Sequence, residues 1–534
     1  MQYDYIIIGA GSAGCVLANR LSANGQHQVL LLEAGGKDSN PKIHIPATCL
    51  QLQYTDVDWN MRSAPMPAAN NRTIHYPRGK VLGGCSSINA MIYMRGNRRD
   101  YDHWAELGNE GWSYEEVLPY FKKSEHYYRG ASHFRGNEGP LKVTPANDRY
   151  QHPLWDALHM AAGELDIPVN DNFNEASQEG LGLFEMTIHN GKRQSTAVAF
   201  LKPARKRSNL KVETGALTQQ IVMKGRVATG VRYLKNGQLH EATARREVIL
   251  SAGAIHSPQI MMLSGIGDPD QLHQHGIATQ VVLPGVGKGL KDHNMYGIAY
   301  FATQKNSTYN SVEHGSRYYK SLLQYLLFKK GPLACMGFAS GGFVQIDPEF
   351  DRPDLQFHFA MAQTPSVNIN PGNLPKEDGF GLLMAQLHPK STGEIRLQSA
   401  KVQDAPIIDT NYLSDEYDQR FALKSYRAAQ RILQAKAFDK WRGRPAMPTR
   451  ELNTDDEILD FVKSEVTTLY HPVSTCRMGK DDQAVVDDQL RVHNVGNLRI
   501  VDASVMPTIT TGNTNAPTIM IAERAAELIL GEVV

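Results

Sequence analysis

Three glycines near the start of the chain, Gly9, Gly11 and Gly14, lie between an apolar run, Tyr3–Ile8, and a helical run from Cys15 to Leu21. This spacing suits the binding of a diphosphate. Gly9 permits a tight turn, Gly11 lets main-chain N–H groups approach the phosphates, and Gly14 lets the helix pack closely on the strand. Ser12 and Ala13 complete the turn at the helix N-terminus, whose positive dipole end faces the anion. Glu33 ends a second apolar run, Val29–Leu32, 19 residues beyond Gly14. A carboxylate there accepts hydrogen bonds from both hydroxyls of an adenosine ribose and disfavours a 2′-phosphate. These residues predict a dinucleotide cofactor.

Other segments carry related chemistry. Gly83–Met91 packs Gly83, Gly84, two hydroxyls including Ser87, and the amide of Asn89 ahead of Ala90 and Met91. It suits close approach of main chain to a flat polar ring, although alone it reads as a loop and helix start. Ser251–Ala254, containing Ala252 and Gly253, stands between an apolar run and a helical run and so repeats the strand–turn–helix geometry. Of the 19 histidines, His471 is set apart by Pro472, which keeps it out of helical geometry just after a helix-like run, Asp455–Val466. A neutral imidazole is available as a base near pH 7, but spacing alone does not choose among histidines. Asn513 and Asn515 precede the final helical run and, on composition, read as capping residues. The cluster Gly285–Gly289 leads into Leu290–His293 without a clear helix or a later acid, which disfavours a nicotinamide site.

Together these segments resemble the glucose-methanol-choline (GMC) family of flavin oxidoreductases along nearly the whole chain, and most resemble its bacterial choline dehydrogenases and FAD-dependent primary alcohol dehydrogenases. The resemblance implies FAD, with its ADP half on the first turn and its ring against Gly83–Met91. Ala252, Gly253, Asp502, Ala503 and Asn515 are implied to lie along the cofactor. Some members attach the flavin through a histidine whose place is taken here by Ile88, so the FAD is expected to be non-covalent. The catalytic base maps onto His471 and its partner onto Asn513, with Asn515 a competitor for the second role. The implied reaction is oxidation of a primary alcohol to the aldehyde, with proton removal by His471 and hydride transfer to flavin N5. An amide partner donates to the developing alkoxide without competing as a base. A lyase or a simple flavin-binding module of the same fold is the rival reading, and His471 and Asn513 argue against it.

The elements that must position these residues fall into two domains, because 534 residues exceed what one core usually supports. The expected fold class is α/β, α+β overall. A Rossmann-like FAD-binding domain is expected over 1–150, 193–298 and 460–534. A substrate-binding domain, an antiparallel sheet with helices, is expected over 151–192 and 299–459. Short alternating runs from Leu210 to Leu250 predict an antiparallel meander that returns to the nucleotide sheet. The formal net charge of +1 argues against a nucleic-acid partner. Five scattered cysteines without a Cys-x-x-Cys pair predict reduced thiols and no metal. The first strand starts too early for a leader, and no apolar stretch reaches the roughly 18 residues of a spanning helix. A soluble cytoplasmic protein is expected, with peripheral contact at the inner membrane left open.

Ala339–Phe343 corresponds to a stretch in which many family members begin with glutamate. Ala339 replaces that acid here, which favours a neutral primary alcohol over choline. Arg317–Lys330 is aromatic and apolar with basic flanks. It reads as core, as a lid, or as a helix resting on a membrane and bringing the flavin to a quinone. The electron acceptor is a quinone, another carrier or oxygen.

Overall fold

The computed structural model describes residues 2–368 and 374–531. Two sheets organise it. In the first, the strands Leu210–Thr214, Val29–Glu33, Gln2–Ile8 and Gln238–Leu250 lie side by side in parallel, and Leu498–Ile500 pairs with the end of the last. The central strands are unbroken apolar runs because both their faces are covered: Ile6, Ile7, Val29 and Leu31 are fully buried. Each such side chain contributes roughly 1.5–3 kcal/mol relative to exposure. Ile8 stands opposite Leu32 and Leu250, and Leu250 opposite Ile500. The strands therefore end at one edge, and Gly9, Glu33, Ser251 and Asp502 lie at or just beyond it together. Ligands of parallel sheets bind beyond such an edge.

The predicted meander needs a correction. Ala216–Lys224, Val227–Lys235 and the first half of Gln238–Leu250 form an antiparallel ribbon, but Leu210–Thr214 pairs in parallel with Val29–Glu33 at the opposite edge. Alternation of apolar and polar residues reports one covered face, not strand direction.

The second sheet is antiparallel, in the order Arg442–Met447, Asn294–Ala302, Gly379–Gln386, Leu355–Ala360, Ser340–Val344 and Gly180–Leu183. Asn294–Ala302 crosses the 298/299 division expected from the sequence. The helix Glu416–Leu433 packs against this sheet. In Leu355–Ala360 the odd positions enter the core, where the Phe359 ring stacks on Phe438, while His358 and Ala360 line a cavity. The two sheets thus supply opposite walls of one space.

The first and last described helices pack together beside the Gly9–Gly14 turn. Between these helices, Ser12–Leu21 and Asn515–Leu530, Arg20 pairs with the fully buried Glu523 through two hydrogen bonds of 2.8 and 2.6 Å. A bidentate pair of this kind fixes orientation as well as proximity. A capping box between Ser113 and Glu116 opens the helix Tyr114–Ser124.

Candidate active site

One cavity runs from the edge of the parallel sheet to the antiparallel sheet. Its walls include Gly9, Gly11, Ser12, Ala13, Glu33, Gly84, Asn89, Ala90, Met91, Ala252, Gly253, Asp502, Ala503 and Asn515, together with His471 and Asn513. Three residues singled out from the sequence, Gly14, Gly83 and Ser87, stand behind this wall. A Cβ on Gly14 would lie 1.8 Å from the Gly9 carbonyl oxygen, so Gly14 sets the approach of helix to strand. Gly83, at φ +90°, donates its N–H to the Ala10 carbonyl (2.7 Å), and the Ser87 hydroxyl donates to the Leu82 carbonyl (2.7 Å).

The nucleotide end is made largely of main chain. A Cβ on Gly9 would meet the Ser251 carbonyl oxygen at 2.5 Å, and one on Gly84 would meet the Gly11 Cα at 2.7 Å, whereas one on Gly11 would meet nothing within 4 Å. Gly11 therefore faces open space, the condition a diphosphate needs for contact with main-chain donors. Glu33 accepts from the N–H groups of Ala10 (2.9 Å) and Gly35 (2.8 Å), and burial pushes its carboxyl up to about 7 against those bonds. Further hydroxyl donors, such as those of a ribose, would offset the cost of that burial by hydrogen-bonding the carboxylate. Asp502 accepts from Gly253 N–H (2.9 Å), the Ser257 hydroxyl (2.6 Å) and Ser504 N–H (2.8 Å), which ties the late strand to the turn at Ala252. The Ser12 hydroxyl donates to Asn515 Oδ1 at 2.7 Å. This end fits an adenine dinucleotide such as FAD.

The other end is built from side chains. Residues 467–473 run antiparallel to 291–295: Leu469 N–H donates to the His293 carbonyl (2.9 Å), Val473 N–H to the Lys291 carbonyl (2.9 Å) and His471 N–H to Asp292 Oδ1 (2.8 Å). The other oxygen of Asp292 accepts from the hydroxyls of Tyr76 (2.5 Å), Tyr412 (2.6 Å) and Thr468 (2.6 Å). Tyr470, at φ +70°, is held by Arg78, whose Nη2 donates to its carbonyl (2.8 Å). His471 is thereby fixed through its main chain before its ring makes any contact.

The ring contacts have a consistent direction. Gln356 Nε2 donates to Asn513 Oδ1 (3.2 Å), which turns Asn513 Nδ2 toward His471 Nε2 (3.2 Å). An amide nitrogen only donates, so His471 Nε2 carries the lone pair and Nδ1 the proton. The Nδ1 proton then points at His293 Nδ1, 3.0 Å away. Burial drives His471 well below the ordinary imidazole range, reinforced by His293, His358 and Arg78, and burial takes His293 down to about 3. Both rings are neutral at pH 7. Asn513 is held by a braced loop, in which Thr511 donates from N–H (2.6 Å) and hydroxyl (2.7 Å) to Asp100. Asn513 thus stands at His471, and Asn515 at Ser12.

Asp292, His293, Gln356 and His358 were not singled out from the sequence. His358 Nε2 is buried without a hydrogen-bond partner among the described residues, and burial lowers its pKa to about 4. The sequence signal for the first two lay in the segment after Gly285–Gly289. That cluster forms no nucleotide turn: Lys288–Leu290 pairs antiparallel with Gly393–Arg396, and the chain then delivers Asp292 and His293 to the site.

Two GMC oxidoreductase family models match the chain, over residues 3–295 and 389–522. The chain is 43% identical over 536 residues to alcohol dehydrogenase (acceptor) of Pseudomonas putida, covering 100% of this chain and 96% of that protein. It is 42% identical over 542 residues to the mitochondrial choline dehydrogenase of Homo sapiens, covering 99% and 90%. Among solved structures, pyridoxine 4-oxidase from Mesorbium loti matches at TM-score 0.88 and 31% identity over 98% of both chains. An Aspergillus oryzae RIB40 formate oxidase variant, described for its effect on FAD modification, matches at TM-score 0.93 and 26% identity over 99% and 98%. With two family regions matched and relatives above 40% identity along its whole length, the chain belongs to the GMC oxidoreductase family.

Proposed function

We propose that the protein is an FAD-dependent dehydrogenase of neutral primary alcohols that holds its FAD without a covalent bond and passes electrons to a quinone or a similar carrier. The observation that carries this reading is the His471–Asn513 pair, oriented on both sides and set in the same cavity as the nucleotide turn. An alcohol oxygen placed between the two donates its proton to His471 Nε2 and accepts from Asn513 Nδ2, replacing their direct contact. As the proton moves, Asn513 stabilises the growing negative charge. His293 Nδ1 accepts from His471 Nδ1–H and so keeps Nε2 free to act as the base. FAD, when bound, would supply the hydride acceptor at flavin N5, so that the alcohol carbon losing hydride as its oxygen loses the proton becomes the aldehyde carbonyl. Ile88 lines the cavity and offers no group to bond the ring, which supports non-covalent attachment.

The substrate reading rests on the walls of the cavity. Met295, Ile298, Ala299, Leu383 and Leu469 line it on the side of the antiparallel sheet, and its only carboxylates among the described residues are Glu33, Asp502 and Glu313. Glu33 and Asp502 belong to the nucleotide end, and Glu313 pairs with Gln51 at 3.5 Å. A quaternary ammonium usually calls for aromatic faces and a nearby carboxylate. The likeness to choline dehydrogenase keeps choline as the second reading. Anaerobic mixing of the yellow protein with a panel of primary alcohols tests both. Bleaching by neutral alcohols is expected; bleaching by choline alone would reverse the order, and no bleaching by any alcohol would end the dehydrogenase reading.

A further inference from the structure

The helix Gly315–Phe328 is amphipathic in the wrong sense for a protein in water. Its buried residues are Ser321 and Tyr325, while Tyr319, Leu323 and Leu327, spaced four apart, form a ridge on the opposite face with Leu326 beside it. Tyr319 is 71% exposed, Leu323 58%, Leu326 57%, and Leu327 and Phe328 64% each. Among the described residues, six of the 14 exposed large hydrophobics fall in these 14 positions, so the exposure is concentrated rather than scattered. The charge is equally one-sided. Arg317, Lys320, Lys329 and Lys330 lie here, and no acidic residue occurs between Glu313 and Asp347. Lys320 and Lys330 have no ion-pair partner among the described residues.

We propose that this face docks on an anionic lipid bilayer, the helix lying in the headgroup plane with Leu323, Leu326, Leu327 and Phe328 inserted and Lys320 and Lys330 on the lipid phosphates. Apolar insertion and cationic flanks are the two attractions that hold a helix at an anionic interface. No described helix is long and apolar enough to cross a membrane, so the contact is with the surface. A second copy of the chain fits less well, because a two-fold contact through this helix would set its lysines near their own equivalents with no acid to meet them. The helix also adjoins the cavity: Tyr309 and Glu313, just before it, line the cavity wall, and His314 Nε2 lies 3.0 Å from the carbonyl of Leu374, another wall residue. The docking deepens the proposed use of a quinone and rests on that reading for its purpose, since it sets the cavity wall beside the phase in which a quinone dissolves.

Holoprotein is sedimented with vesicles of phosphatidylcholine, alone or with a third phosphatidylglycerol, a measurement that needs no turnover and so stands apart from the alcohol test. Binding to the anionic vesicles is expected, at least about tenfold weaker on phosphatidylcholine alone or in about 0.5 M salt. The double variant Leu323→Glu/Leu327→Glu is expected to lose binding while keeping its flavin spectrum and its bleaching by a water-soluble alcohol. Absence of wild-type binding to the anionic vesicles would overturn the proposal, as would undiminished binding of the double variant. Light scattering that shows a dimer dissociated by the two substitutions would assign the face to a second copy instead.

Discussion

The two ends of the cavity are made of different material. At Gly9–Gly14 the walls are main chain brought so close that a Cβ at Gly9 or Gly14 has no room, and few side chains intervene. At His471 the wall is a directed chain of side chains, Gln356 to Asn513 to His471 to His293, on a loop held by Asp292. Main-chain packing is all or none, because a carbonyl cannot step aside without moving its strand. A side-chain chain can lose one member and keep its fold. Damage at the first end should therefore remove the cofactor, and damage at the second should slow the chemistry and spare the cofactor.

The largest effect is expected from Gly14→Ala, whose new methyl would press on the Gly9 carbonyl. Purified variant should carry no flavin absorbance, and wild-type flavin content there would break the contrast. His471→Ala should keep its flavin yet reduce it at least about 100-fold more slowly in anaerobic stopped flow, the lower end for loss of a general base. Loss of flavin from this variant would blur the two ends into one. His293→Leu removes only the acceptor at Nδ1, so reduction should slow on the order of tenfold, less than loss of the base itself. His293→Asn, which restores an acceptor oxygen, should recover most of that rate; equal defects in the two variants would mean that His293 acts through packing alone. The smallest effect is in pH. Burial favours neutral His471, so the active form is fully present above its lowered pKa and is lost only as pH falls through it. The rate should hold from pH 8 down through the ordinary imidazole value of about 6.5, and an acid limb centred at 6.5 or above would contradict the buried setting.

This division also decided what the sequence could tell. The glycine spacing and Glu33 announce the nucleotide end because steric demands on main chain leave few residue choices, and those choices sit within 25 residues of one another. His471 stood out through Pro472 and through family likeness, and Asn513 through likeness alone. Asp292, His293 and Gln356 went unseen because their contacts with His471 and Asn513 join positions 157 to 179 residues apart, for which local spacing has no code. Strand direction at Leu210–Thr214 was hidden for a related reason, since burial alternates identically in parallel and antiparallel edges.

The hydrogen bond from Ser12 to Asn515, with the Arg20–Glu523 pair beside it, has a consequence for how the protein is made. The partners of the first bond are separated by 503 residues. At about 5–20 residues per second on the ribosome, roughly 25–100 s pass between the synthesis of the phosphate turn and the arrival of the helix that seals it. During that interval the nascent turn has its glycines but lacks the helix that packs on it, so flavin is expected to bind only after synthesis is complete, and a chain ended by a stop codon shortly before position 515 is expected to purify colourless.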